Sequence, residues 1–361
     1  MPIVIDGSNG ITQADQFNSD STFGFKNRII NGAMVIAQRG TSAVTTDASF
    51  PVDRFQLQVV NANLSLIQSS TAPAGFNYSI EATITSTTST NVNDRSRLFQ
   101  SIEGLNVADL NWGTANAKTI TVSFWARSTV TGTYSGNVGN SAGDRSYIFT
   151  YALTANTWTY VTATIAGDTS GTWLTTNGIG ILLNPITFNC GSNFQGTAGT
   201  WLASGARGTS GSTYLATSNS GAVFNITGVQ LEVGSTATSF DYRPFGTELA
   251  LCQRYYAKIG PAVSGIYPGF GTAGGESSTA AFGVFTTPVT MRSTPTFSSN
   301  GTPTLYSNGF SNITSFGTAY YTTNTVAINI TVSGGGLTVG RFYNILSNND
   351  ATSFVQFSSE L

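Results

Sequence analysis

The apolar residues of this chain recur with a period of two. Ile80, Ala82 and Ile84 alternate with Glu81, Thr83 and Thr85; in Lys118–Ser128, Ile120, Val122, Phe124 and Ala126 take one face while Trp125 points to the other. A pleated strand turns successive side chains to opposite faces, so this spacing predicts sheets with one buried and one wet side. Thr157–Ile165 and Ala222–Val233 read the same way. Between the runs lie pieces such as Gly132-Thr133-Tyr134-Ser135-Gly136-Asn137, where Gly and Asn accept the left-handed conformations that hairpins need. Short strands punctuated in this way predict a β-sandwich or jelly roll.

Four segments are expected along the chain: a leader over 1–26, a jelly-roll sandwich over 27–246, a connector helix over 247–259 and a second, smaller β-domain over 260–361. The leader carries no sustained period and reads as an extended piece that docks onto something else. Within the sandwich, Cys190–Gly221 is long and rich in Gly, Ser and Thr yet contains Trp201 and Tyr214, which predicts a large functional loop at one end. Thr247 stands where it can cap a short helix from Glu248 to Tyr255. Beyond Gly260, Pro261, Pro268, Pro288, Pro295 and Pro303 imply short, loop-broken strands, with Tyr320–Val332 the clearest and Phe354-Val355-Gln356-Phe357 the last. No fixed-period repeat is present, which argues against a long repetitive shaft.

Composition sharpens this reading. Only 9% of the 361 residues are charged while 40% are hydrophobic, so polarity rests on Ser, Thr, Asn and Gln, which suits half-buried sheets better than helices. The formal net charge is −2 with no basic cluster, which leaves nothing to displace counterions from nucleic acid. No apolar run approaches the ~20 residues that span a bilayer, and the N-terminus has no export signal, so no membrane insertion is expected. Cys190 and Cys252 lie in no metal-ligand pattern and are expected to be reduced thiols. There is no His, which removes the commonest general base and every Ser-His or Cys-His pair, so the chain is expected not to be an enzyme.

Several ordered stretches carry a family resemblance. They are Asn27-Arg28-Ile29-Ile30-Asn31-Gly32-Ala33-Met34 with Gln38-Arg39-Gly40; Val52-Asp53-Arg54-Phe55; Val229-Gln230-Leu231-Glu232-Val233-Gly234; and Phe240-Asp241-Tyr242-Arg243-Pro244-Phe245-Gly246-Thr247-Glu248-Leu249 running into Cys252-Gln253-Arg254-Tyr255-Tyr256. Pro288-Val289-Thr290-Met291-Arg292 followed by Pro295-Thr296 adds to them. From about residue 26 onward the chain resembles tailed-phage tail-fibre or minor tail proteins whose sandwich is like carbohydrate-binding or galactose-binding-like modules. The resemblance implies a virion protein, assembled in the host cytoplasm as a homotrimer, that contacts other tail or baseplate proteins and host cell-surface polysaccharide. Two other roles fit the same chain: a purely structural head-decoration or baseplate protein, and a polysaccharide-depolymerising tailspike.

Aromatic faces stack on the apolar faces of sugar rings, because ring C–H groups and π-electrons shed water together. Trp112, Trp173 and Trp201, with Tyr134 and Tyr214, lie in turn-rich text and are the candidate glycan platform, whereas Trp125 and Trp158 sit in strands and are assigned to the core. Packing onto their own sandwich is the other reading of the loop aromatics. A glycosidase needs paired carboxylates; Glu81, Glu103, Asp109, Asp144 and Asp168 supply acids, but no local pattern selects a pair, and Asp144-Arg145 reads as a surface ion pair. No cofactor is expected. Jelly rolls of this kind can hold a structural calcium, for which Asp53 and Glu232 are the candidates, although Asp53 pairing with Arg54 or Arg243 is the preferred reading. Tyr242-Arg243-Pro244-Phe245 is taken as packing that fixes the exit from the sandwich.

Overall fold

The alternating runs become strands in a computed structural model that describes residues 4–6, 10–13, 25–260 and 267–361. In chain order the first fourteen strands are β1 (Val4–Asp6), β2 (Gly10–Gln13), β3 (Ser49–Val52), β4 (Phe55–Gln58), β5 (Asn63–Ser69), β6 (Ser79–Ser86), β7 (Arg95–Glu103), β8 (Ile120–Ser128), β9 (Gly132–Gly139), β10 (Ser146–Leu153), β11 (Thr159–Ile165), β12 (Ile179–Cys190), β13 (Trp201–Leu202) and β14 (Val223–Val233). A single-turn helix, α1 (Leu215–Ser218), precedes β14. The pair β1 and β2 run antiparallel; the rest of the leader expected over 1–26 lies outside the described residues, apart from Phe25 and Lys26.

Two antiparallel sheets face each other, ordered β13-β10-β9-β12-β7-β4-β3 and β11-β8-β14-β6-β5. The chain crosses repeatedly from one sheet to the other, the connectivity expected of a jelly-roll sandwich. In β8, Ile120, Val122, Phe124 and Ala126 are fully buried, and in β6 so are Ile80, Ala82 and Ile84, in one core with Leu66, Leu183, Phe224 and Ile226. Fully burying one such side chain contributes about 1.5–3 kcal/mol, which makes register errors costly.

The stretches that carry the family resemblance meet in space. Asn27 Oδ1 accepts from Ile29 N at 2.9 Å and Leu231 N at 3.1 Å while its Nδ2 donates to the Val229 carbonyl at 3.1 Å. Arg243 donates to the carbonyls of Asn27 and Ile29, and Asp241 accepts from Asn27 N. Asn31, at φ 61°, donates to the Ile36 and Asp53 carbonyls. Entry and exit of the sandwich are thus clasped to β14 by buried side-chain amides. The exit role expected of Arg243 is realised.

Residues 246–360 form a second unit with its own core. It begins with α2 (Phe245–Gln253), so Thr247 is the third helical residue and not its cap; Pro244 stands just before, with its backbone already restricted to helix-compatible φ. Nine strands follow: β15 (Tyr256–Ile259), β16 (Gly269–Gly275), β17 (Ala280–Thr286), β18 (Thr296–Asn300), β19 (Thr304–Tyr306), β20 (Phe310–Tyr321), β21 (Thr325–Val332), β22 (Phe342–Leu346) and β23 (Phe354–Ser358). Strands β15-β23-β18 make a small sheet, and β16-β17-β21-β20-β19-β22 close into a barrel around Phe285, Leu305, Ile328, Ile330 and Ile345. Pro268, Pro288, Pro295 and Pro303 all fall between strands. The run Tyr320–Val332 is a hairpin and not one strand, because Thr322 and Asn324 turn the chain between β20 and β21. Among the described residues no helix is long and apolar enough to cross a membrane.

Candidate functional site

Burial takes the expected glycan platform apart. Trp112 and Trp173 are 7% and 9% exposed and meet Trp201 in a near-perpendicular trio with ring centres 4.6, 5.3 and 5.5 Å apart. All three indole N–H groups donate to backbone carbonyls, of Lys118, Ser170 and Ala166. The half-buried Trp201 ring also packs on Tyr147, with the Arg145 guanidinium 5.9 Å from its centre. Tyr134 is fully buried in β9, donates to Ser128 and the Val130 carbonyl, and packs on Tyr151 and Phe224. Tyr214 donates to the Thr209 carbonyl and is also buried.

For Trp201 and Tyr214 the physical reason lies in residues 190–221. They do not project from one end but fold back on the outer face of the seven-stranded sheet: Thr213 N donates to Thr133 of β9, Thr187 of β12 donates to the Arg207 carbonyl, and Gly208 lies against Ser135 and Tyr214. A sheet face rich in Ser, Asn and Thr costs little to cover where each polar group finds a partner. Beneath this cover sits Cys190, whose thiol burial pushes up to about 11. It and Cys252 are both buried, and neither is in a disulfide.

The acids are equally engaged. Asp168 holds Arg145 through two hydrogen bonds of 2.6 and 2.7 Å, so Arg145 pairs with Asp168 and not with its neighbour Asp144, which accepts from Asn140 instead. Asp109 pairs with Arg28, and Glu81 accepts from Asn225 and Ser69. Asp53, 1% exposed, accepts from Gln38 and lies 3.6 Å from Arg39. Glu232 accepts from Gln230, Thr238 N and the Thr238 hydroxyl. These N–H and O–H groups occupy the oxygens a calcium would need, and no cluster of three metal-ligating side chains occurs among the described residues.

A cleft of about 400 Å³ opens on the outer face of the five-stranded sheet, within the size range of small-ligand sites. Trp125 of β8 and Tyr160 of β11 are register partners across the strands, and their rings lie 5.3 Å apart to form one wall. Phe76, from the β5–β6 connection, with Phe240 and Tyr242, downstream of β14, forms the other, at ring separations of 4.8 to 5.6 Å. Ser123 and Gly228 lie between them, and Ala237, Thr238 and Ser239 complete the rim.

Gly228 makes this wall possible. It sits in a β14 bulge at φ +64°, and a Cβ there would fall 2.6 Å from Phe76 Cζ. Tyr242 is braced by its hydroxyl, which donates to the Gly75 carbonyl, and Tyr160 donates to the Thr238 carbonyl. Burial raises the Tyr242 hydroxyl above its ordinary pKa, so it is a neutral donor at physiological pH. None of the ten lining residues is ionisable to a charge at neutral pH, and five are aromatic. Trp125 is therefore not a core residue, and Tyr242 does more than pack the exit.

No protein-family model matches this chain and no curated protein does. Among solved structures, the enzymatically active domain of tailspike protein 4 of bacteriophage CBA120 overlaps at a TM-score of 0.32 with 12% identity, over 58% of this chain and 22% of that one. The CBM22-1 xylan-binding domain from Paenibacillus barcinonensis overlaps at 0.30 with 9% identity, over 60% of this chain and 100% of that one. A family 11 carbohydrate-binding module of a Clostridium thermocellum cellulosomal cellulase overlaps at 0.27 with 12% identity, over 55% of this chain and 98% of that one. Overlap this loose assigns neither fold nor ligand to this chain; the all-β sandwich stands on its own strand pairing.

Proposed function

We propose that this chain is a non-catalytic adhesin that holds a neutral sugar in the Trp125–Tyr160 cleft, as part of a tailed-phage tail fibre. The cleft carries the reading. Two aromatic walls around a hydroxyl-bearing floor, without an ionised group, match a pyranose ring with apolar faces and a hydroxyl rim. No lining residue is itself charged, and at the rim the half-buried Lys26 ammonium donates to the Thr238 hydroxyl. Hydrolysis needs two carboxyl groups beside the scissile bond, and the cleft lining contains neither Asp nor Glu.

The virion setting rests on the resemblance of the clasp and connector motifs. Three chains per fibre, on several fibres, would turn individually weak sugar contacts into firm adhesion to a repetitive polysaccharide surface by raising the effective concentration. A purely structural virion role is favoured by a different observation: Tyr267, Tyr306 and Phe310 of the second unit are exposed and adjacent, at ring separations of 4.9 and 5.3 Å.

Glycan-array binding of the purified protein tests the first reading. The expected result is retention of one or more neutral glycans, lost in Trp125→Ala and Tyr160→Ala but kept in Phe342→Ala, which removes an 83% exposed side chain of the second unit. Half the face of an indole, ~60 Å² of apolar contact, at ~25 cal/mol per Å² corresponds to about 1.5 kcal/mol, or a tenfold loss of affinity. An array without a neutral-glycan signal overturns the adhesin reading, and immunolabelling of phage particles that leaves the tail unlabelled overturns its placement.

A further inference from the structure

The outer face of the opposite, seven-stranded sheet carries three arginines that no carboxylate among the described residues compensates. Arg97 of β7 donates from Nε to Gln58 Oε1 at 3.0 Å, and Arg207 donates from Nη1 to the same oxygen at 2.7 Å. Arg95 and Arg207 both lie over the Phe194 ring, at 4.9 and 5.0 Å from its centre. Arg95 has one further hydrogen bond, to the Asn93 carbonyl. No ion pair reaches any of the three among the described residues. The neighbouring acid Asp94 accepts instead from Asn61, Asn91 and Asn189.

Gathering guanidinium groups at a partly buried place without a counter-charge is unfavourable in the ligand-free protein. Burial and the adjacent charges depress Arg97 well below its ordinary pKa, and Arg207 is depressed by burial and by Arg95. In a chain whose acids outnumber its bases, 17 to 15, partners are not scarce. Arg97 is 5% exposed while Arg95 and Arg207 are half-buried, and among the described residues their remaining guanidinium N–H groups have no hydrogen-bond partner. Forked, delocalised donors held at fixed positions by an amide and an aromatic ring suit a carboxylate or a tetrahedral oxyanion.

We propose that Arg95, Arg97 and Arg207 form an oxyanion site, on the sheet face opposite the neutral cleft, that takes the carboxylate, sulfate or phosphate group of an acidic polysaccharide. Gln58 and Phe194 hold the guanidinium groups in place, and the site needs no contribution from Trp125 or Tyr160.

The full chain is titrated with sodium glucuronate, sulfate or phosphate, against sodium chloride at matched ionic strength, and followed by calorimetry and thermal melting. At least one oxyanion is expected to bind saturably and raise the melting temperature beyond chloride. Glucuronate as the best ligand identifies an acidic sugar, and sulfate or phosphate identifies an ester group. Arg207→Gln should weaken that binding by about tenfold or more, since it removes a charged donor. Its ligand-free form should melt no lower than the parent, because like-charge repulsion is relieved. Arg95→Gln, at a more exposed position, should act in the same direction. Neutral-glycan binding should be unchanged in both variants, so loss of one site is distinguishable from loss of the other. Equal responses to chloride and every oxyanion, or an undiminished response in the Arg95→Gln, Arg207→Gln double variant, overturn the proposal.

Discussion

Replacing Asn27 by Ala tests whether the resemblance motifs act as a clasp. Asn27 is 3% exposed, and its side chain makes three hydrogen bonds, to Ile29 N, Leu231 N and the Val229 carbonyl. Each net bond contributes about 1 kcal/mol, so Asn27→Ala should cost about 3 kcal/mol, and more where the stranded groups stay dry. Water has little room to replace the amide: a Cβ on nearby Gly32 would already lie 2.1 Å from the Val229 oxygen. For a unit of this size, 1 kcal/mol moves the melting temperature by roughly 2–4 °C, which gives about 6–12 °C. Differential scanning calorimetry reads this in the sandwich transition, with the second unit's separate core as internal reference. Asn116→Ala, at an exposed turn, is the control and should stay within about 0.5 kcal/mol. A sandwich transition that moves no further in Asn27→Ala than in the control refutes the clasp.

Two further outcomes follow from individual residues. Gly228→Ala places a side chain at φ +64° and against Phe76, so it should cost about 1–2 kcal/mol in urea unfolding and weaken glycan binding together; unchanged affinity would show that Phe76 is not a wall of the site. Cys190 gives a pH signature. Its thiol ionises near 9.0 in an unfolded chain but near 11 in the fold, where burial disfavours the thiolate. Between these values the folded state binds more protons, so the Cys190 contribution is fully present below pH 9 and is lost as pH rises to 11, at no more than about 1.4 kcal/mol per pH unit. Urea midpoints measured over that range should fall more steeply in the parent than in Cys190→Ala; parallel curves contradict the assignment.

The sandwich was legible because its signal is local. In β6 and β8 the face of each side chain follows from its parity, whatever lies further along the chain. Parity also puts Trp125 on the wet face of its strand, yet its place within a strand gave it a core assignment. What decides its role is non-local: Phe76 arrives from one connection and Phe240 and Tyr242 from beyond β14, converting an outer sheet face into a cleft. The converse error concerned Trp112, Trp173, Trp201 and Tyr214. Turn-rich sequence says that the backbone bends, but not that its aromatic rings remain wet, and here sheet edges and carbonyls drew them in. Tyr134 was readable in principle, since it shares parity with the buried Val138 in β9. The arginine site left no linear pattern, because Arg207 reaches Arg95 and Arg97 only after residues 190–221 fold back.

The central claim is that the cleft between Trp125 and Phe76 holds an intact neutral sugar. A crystal structure of the protein with the best-binding neutral oligosaccharide tests it most directly. The account predicts an uncleaved chain with one pyranose ring stacked between the Trp125–Tyr160 wall and the Phe76–Phe240–Tyr242 wall; a sugar bound elsewhere on the sandwich, or a shortened product beside a pair of carboxylates, would contradict it.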